Sequence, residues 1–296
     1  NNALAESTAR AREEEERVLA ELAASFARHR GQLLDAAAAL TEIDALQARV
    51  LFGKGCGANV IVPVAAEELH LHGARHPLLE PRLAKLRDAV LGEAGNLGSV
   101  TPLDIDLDRH TRVMLLSGPN AGGKTVALKT IGLTVVMAYA GIPVLADEGS
   151  VVPRLRSVWC RIGDDQSLLS DRSTFSAAMT ATASLLADLD DATLVLYDEL
   201  GSGTDPEEGA ALAAALLEEL VRRGCWAVAT AHLVTVAAHL EQLPGAANAA
   251  MGFDEDSGRP TYRLSVGAPG RSRGLAIARH CGVQPAVVDR ASQLVS

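Results

Sequence analysis

The stretch that most constrains this chain is Leu115–Thr130, LLSGPNAGGKTVALKT. An apolar run leads into Gly118-x4-Gly123-Lys124-Thr125, and a helix-forming segment leads out of it. Glycines at this spacing let backbone N–H groups converge on phosphate oxygens, and the N-terminus of the following helix adds its dipole. A strand before the loop and a helix after it are the context that a phosphate loop requires. The expected nucleotide-binding residues are therefore Gly118, Pro119, Asn120, Ala121, Gly122, Gly123, Lys124, Thr125 and Val126. Lys124 is expected to reach the β- and γ-phosphates, and the Thr125 hydroxyl to ligate Mg2+.

A second segment, ATLVLYDELGSGTD, delivers Asp198 to the carboxyl end of an apolar strand, where α/β sheets bind ligands. Asp198 is expected to complete the Mg2+ shell. Glu199 follows at once, placed to orient or deprotonate an attacking water, which favours hydrolysis over transfer to a bound substrate. A third apolar strand, from Trp226, ends on His232, where an imidazole could sense or stabilise the γ-phosphate.

Composition sets the outer limits. The chain has 296 residues, 48% hydrophobic and 22% charged, with aromatics at 3%, enough for one large domain or two modest ones. Cys56, Cys160, Cys225 and Cys281 lack CxxC spacing, which points to reduced thiols in a cytosol rather than to disulfides or a zinc site. Ile131–Ala146 is apolar but interrupted by Gly141 and Pro143, and is short for a bilayer span. It reads as a buried helix and strand, so no membrane partner is expected. His70, His72 and His76 invite a metal, but no thiolate or carboxylate stands at ligand spacing from them in the sequence, and a metal is not expected there.

A net charge of −10 argues against a uniformly basic nucleic-acid binder. The charge is uneven: Asp188–Glu208 carries eight acids and no base, whereas Ser257–Ser296 carries six arginines against Asp289. The basic tail is either a solvated helix face or a contact for phosphate or an acidic neighbouring surface.

The segment from about residue 5 to 51 reads as helix, with Leu19, Phe26, Leu33 and Leu40 every seven residues and Leu22, Ile43 and Val50 on the adjacent row. Gly31 either splits it into a hairpin or bends it. Unsplit, it would reach roughly 70 Å at 1.5 Å per residue. A glycine-rich break at Gly53–Asn59 marks the expected boundary. Strands are expected at Ala58–Val64, Glu67–Gly73, Arg112–Gly118, Thr193–Glu199 and Cys225–His232, and helices at Lys124–Tyr139 and Glu208–Arg223. This rhythm predicts an α/β fold, a mixed sheet flanked by helices. Two short helices around Gly282–Pro285 close the chain, a packing or dimerisation pair in preference to a DNA-reading helix-turn-helix. The expected domains are a helical core or lever segment at 1–52, an ATPase domain at 53–269 and a C-terminal helical pair at 270–296. A start without Met, in helical sequence, suggests a piece of a longer protein.

The phosphate loop, Asp198-Glu199 and His232 together resemble the ABC-type ATPases. Only 74 positions (198 − 124) separate Lys124 from Asp198, too few for the coiled-coil insertion of the chromosome-structuring members. A transporter cassette carries an LSGGQ-type signature before the second motif; here that place holds SDRSTFSAAM, Ser170–Met179. The segments ARHPLL, GPNAGGKTVALKTIGL, IGDDQS, STF, GTDPEEGAALA, NAAMGFDED and PTYRLSVGAPGRS resemble the MutS family, and in detail its second bacterial branch, outside mismatch repair.

That resemblance covers nearly everything from about Glu68 onward. It implies a homodimer whose two ATPase domains sandwich ATP or ADP with Mg2+, with Ser173 of one protomer completing the phosphate site of the other. Read locally, Ser173 is also a simple helix N-cap. The resemblance further implies action on double-stranded or branched DNA, suppressing recombination, or on stalled ribosomes. It places a small nuclease domain beyond this chain and implies a cytoplasmic location. Leu233 and Leu103 depart from the family pattern, so the adenine contact is open, with Leu97 and Val100 as apolar candidates. The competing reading is a nucleotide-controlled scaffold without hydrolysis; a transporter subunit is third.

Overall fold

The computed structural model describes residues 2–92, 100–118, 122–163, 174–232, 234–254, 259–267 and 274–295. The chain divides into two compact units, Asn1–Phe52 and Gly53–Ser296.

The first unit belongs to one helix, α1 (Asn2–Cys56), whose last turn lies in the second unit. Its Ala, Leu, Glu and Arg content favours helix, and Arg17 pairs with Glu14 and Glu21 one turn away on either side. Gly31 neither splits nor ends it. A glycine costs about 1 kcal/mol against alanine there, too little to break so long a run. The seven-residue row is exposed, from 47% at Leu33 to 67% at Leu40. The helix ends inside the expected break, Gly53–Asn59: it passes Gly53 and Gly55 and stops at Gly57, whose φ of 62° is left-handed.

In the second unit, β1 (Leu69–Ala74) and β2 (Leu103–Leu107) form an antiparallel ribbon with Leu69 opposite Leu107, His70 opposite Asp106 and Leu71 opposite Ile105. Between them lies α2 (Ala84–Leu91). The main sheet contains β3 (Val113–Ser117), β4 (Ser157–Arg161), β5 (Thr193–Tyr197), β6 (Trp226–Thr230), β7 (Ala246–Asp254) and β8 (Arg259–Val266). Its order is β4-β5-β6-β3-β7-β8, parallel throughout except for β8, which runs antiparallel to β7.

Strands β3, β5 and β6 are buried at every position, as near-continuous apolar runs require when both sheet faces are covered. On one face, Leu185 of α4 (Thr174–Asp188), Leu217 and Leu220 of α5 (Pro206–Arg223) and Val236 of α6 (Val234–Leu240) close over Val113, Val195 and Ala229. On α3 (Lys124–Tyr139), a Cβ at Gly132 would sit 2.6 Å from Leu196 Cδ1, so glycine is what lets helix and strand meet. Helix α5 starts on Pro206 with Asp205 accepting from the Glu207 and Glu208 amides, and ends on left-handed Gly224. Helices α7 (Gly274–His280) and α8 (Pro285–Val295) follow, tied by Arg279 to Asp289 at 2.7 Å.

The fold class is thus the mixed α/β sheet with flanking helices that the sequence predicts, with one local correction. Ala58–Val64 is not a strand: it makes only isolated bridges, Asn59 to Val144 and Val64 to Pro153. Pro63 has no N–H to donate, and Val60 and Val62 face solvent at 71% and 68% exposure. Among the described residues, no helix is long and apolar enough to cross a membrane.

Candidate active site

Because β3, β5 and β6 are adjacent and parallel, their carboxyl ends bring three distant segments to one edge. Strand β3 hands over to the phosphate loop, β5 to Asp198-Glu199, and β6 to Ala231-His232. Of the loop, Gly118, Gly122, Gly123, Lys124, Thr125 and Val126 are described; Pro119, Asn120 and Ala121 lie outside the described residues, as do Ser173, Leu97 and Leu233.

Gly118 and Gly123 sit at φ 123° and 87°, where a side chain is strained. A Cβ on Gly123 would also meet the Tyr262 ring at 2.9 Å. Lys124 is 3% exposed and its Nζ donates to the Gly118 carbonyl at 2.6 Å. Burial draws its pKa below the ordinary lysine value, against the upward pull of Asp198 and Glu199.

Asp198 is 6% exposed, and each of its oxygens accepts from a hydroxyl: Oδ2 from Thr125 at 2.8 Å, Oδ1 from Thr230 at 2.6 Å. The same Thr230 hydroxyl accepts from the Glu199 amide at 2.8 Å. Glu199 stands at φ 55°, one of two non-glycine residues with positive φ among those described. Such a conformation persists only where its surroundings impose it, and functional sites are where it concentrates. Its carboxylate, half-exposed, lies 3.3 Å from His232 Nε2.

The structure therefore brings Lys124, Thr125, Asp198, Glu199 and His232 together. Sequence reasoning missed Thr230, although a hydroxyl at the end of a buried strand beside an acidic one was a usable sign. It also missed an apolar slot of about 290 Å³ lined by His76, Val100, Leu103, Val126, Met251 and Tyr262, with Gly123 at its wall. Val100 does line it. His76 is held below the ordinary imidazole value, first by burial and then by Lys129.

The donor chemistry fits a nucleotide with Mg2+. A hydroxyl and a carboxylate already converge as hard oxygen ligands at Thr125 and Asp198, and the Lys124 ammonium is buried at the start of the helix that follows the loop.

A family model described as MutS domain V matches residues 114–296. The chain belongs to the MutS family. Similar members are named Endonuclease MutS2: that of Geobacillus thermodenitrificans (strain NG80-2) is 41% identical over all of this chain and 36% of its own length. Those of Lactiplantibacillus plantarum and Shouchella clausii are 38% and 39% identical over 99% and 98% of this chain, and 35% of their own lengths. The chain thus spans about a third of the MutS relatives it matches. The mixed sheet with its loop between β3 and α3 is the fold of the family's domain V.

Proposed function

We propose that this chain is the ATP-binding and ATP-hydrolysing part of a MutS-type protein that works as a homodimer on DNA. The observation that carries this reading is the continuous link Thr125–Asp198–Thr230–Glu199 across the phosphate loop and two strand ends.

In this reading the loop amides and Lys124 bind the β- and γ-phosphates, with Lys124 exchanging the Gly118 carbonyl for the anion. Thr125 and Asp198 hold Mg2+, which when bound neutralises charge on the phosphates. Glu199 orients the attacking water and takes its proton, and His232, in reach of Glu199, steadies the γ-phosphate side. The apolar slot beside Gly123 holds the nucleoside. Ser173 of the other protomer completes each site, residues 1–52 act as a lever or core segment, 53–269 as the ATPase domain, and 270–296 as a dimerisation pair. ATP clamps the dimer and hydrolysis releases it. Branched DNA, and through it the suppression of recombination, is the target of first choice, with stalled ribosomes as the comparison. The nuclease activity in the relatives' name is assigned to no residue of this chain.

Steady-state ATP hydrolysis by Glu199→Gln tests the reading. We expect hydrolysis to fall about 100-fold or more while nucleotide binding persists. An unchanged rate would leave a nucleotide-controlled scaffold as the better description. Binding of the full-length protein to four-way DNA junctions and to stalled ribosomes, each with ATP and across a salt series, separates the targets.

A further inference from the structure

The ribbon of β1 and β2 carries an arrangement that the nucleotide site does not use. Its sequences, LHLH and LDIDL, alternate, so one face is Leu69, Leu71, Ile105 and Leu107, all at 0–1% exposure. The other face collects two histidines and two aspartates. His70 lies directly opposite Asp106 in register, and its Nδ1 touches Asp106 Oδ1. His72 Nδ1 is 3.8 Å from Asp104 Oδ1. The two imidazoles meet edge to face at 89°, with Nε2 turned toward Nε2. One ligand atom from each of His70, His72 and Asp106 lies within 4.8 Å of the other two.

We infer that His70, His72 and Asp106 form a binding site for a first-row transition-metal dication of the zinc type, with Asp104 as a positioning residue for His72. Two imidazoles and a carboxylate suit zinc and its neighbours, whereas Mg2+ and Ca2+ prefer all-oxygen sets. Bonds of about 2.0–2.1 Å to a tetrahedral zinc put ligand atoms roughly 3.3 Å apart, inside the 4.8 Å within which these three side chains already hold theirs. Asp104 Oδ1, held by the Gly73 amide at 2.7 Å, stands behind His72 where carboxylates commonly orient ligating histidines.

The backbone under the site is held on its far edge as well. His70 exchanges hydrogen bonds with Val151, His72 N–H donates to Ser150 Oγ at 3.0 Å, and the His72 carbonyl accepts from Asp147. Three ligands leave a position for water. Since Ala74 and Leu103 of the same ribbon line the slot beside the phosphate loop, the ion would pin one wall of it.

The test uses full-length protein stripped with chelator and titrated with zinc chloride, followed by calorimetry and thermal unfolding. We expect one equivalent bound per chain, a rise in Tm as mass action requires, and no comparable effect of magnesium chloride. His70→Gln and His72→Gln, checked for native circular dichroism, should each weaken zinc at least about tenfold, and Asp104→Asn about tenfold, the scale of supporting-shell changes. Cobalt substitution should give a spectrum without a thiolate charge-transfer band. Absence of zinc binding by the stripped protein, or zinc affinity unchanged in the folded glutamine variants, overturns the site; a thiolate band would move the ion to the cysteines and overturn it equally.

Discussion

Replacing Thr230 by Val is the most informative change at the site, because it preserves shape and removes one oxygen. Thr230 is fully buried, and its hydroxyl serves two partners, Asp198 Oδ1 at 2.6 Å and the Glu199 amide at 2.8 Å. A hydrogen bond to a charged group contributes about 1.5–3 kcal/mol net, and a buried N–H left unmatched costs about 1–3 kcal/mol. Together the loss should be about 3–5 kcal/mol, a large share of a typical stability of about 5–15 kcal/mol. For a unit of this size that lowers Tm by roughly 10 °C. Freed from Thr230, Glu199 should relax from φ 55°, and kcat for ATP should fall about 100-fold, the scale of a 1 Å misplacement, with KM moving less. Thr230→Ser keeps the hydroxyl and loses a methyl, at about 1 kcal/mol, and should recover most of kcat. Urea titration, differential scanning calorimetry and coupled ATPase assays read all three quantities. If Thr230→Val matches the parent in both Tm and kcat, or Thr230→Ser is as damaged as Thr230→Val, the hydroxyl does not hold Asp198 and Glu199 and the reasoning fails.

Gly123→Ala adds a methyl 2.9 Å from the Tyr262 ring at a backbone φ of 87°; it should lower Tm and raise KM for ATP about tenfold, read by fluorescence melting and initial rates. His76 has a folded pKa depressed by burial, so the unfolded chain takes the proton first as pH drops below about 6.5. Its contribution is complete above that pH and is lost as pH falls through the lowered folded value. His76→Asn, which retains an acceptor for the Leu78 amide that His76 Nδ1 now serves, should flatten stability against pH over that window in urea titrations. Mixing Ser173→Ala protomers with Lys124→Ala protomers should restore part of the ATPase rate, because one mixed site is then intact; two inactive variants without rescue on mixing would place Ser173 outside the partner's site.

How much could be read in advance followed the reach of each physical signal. The helix Lys124–Tyr139 and the strands leading into Asp198 and His232 are legible because apolar runs and a phosphate loop are local patterns. Thr230 was not, since its role depends on β5 and β6 lying side by side, a pairing between residues 32 positions apart. The His70–Asp106 pairing is invisible for the same reason: the carboxylate stands 36 positions (106 − 70) away along the chain, and only the register across the ribbon brings it opposite. Tyr262 and Met251 approach Gly123 from β7 and β8, strands whose half-exposed sequences carry no strong period. Ala58–Val64 has the β-branched content of a strand, but Pro63 offers no N–H and the segment makes only isolated bridges.

Glu199 carries a consequence for any attempt to improve this protein. Its left-handed backbone disfavours an L side chain by about 1–2 kcal/mol, and a glycine there would carry no such penalty. Folding and chemistry therefore ask for different residues at one position. A library selected for solubility alone should drift toward glycine at 199, and one selected for turnover should return glutamate. The residue found at 199 then records which of the two pressures a variant has lived under.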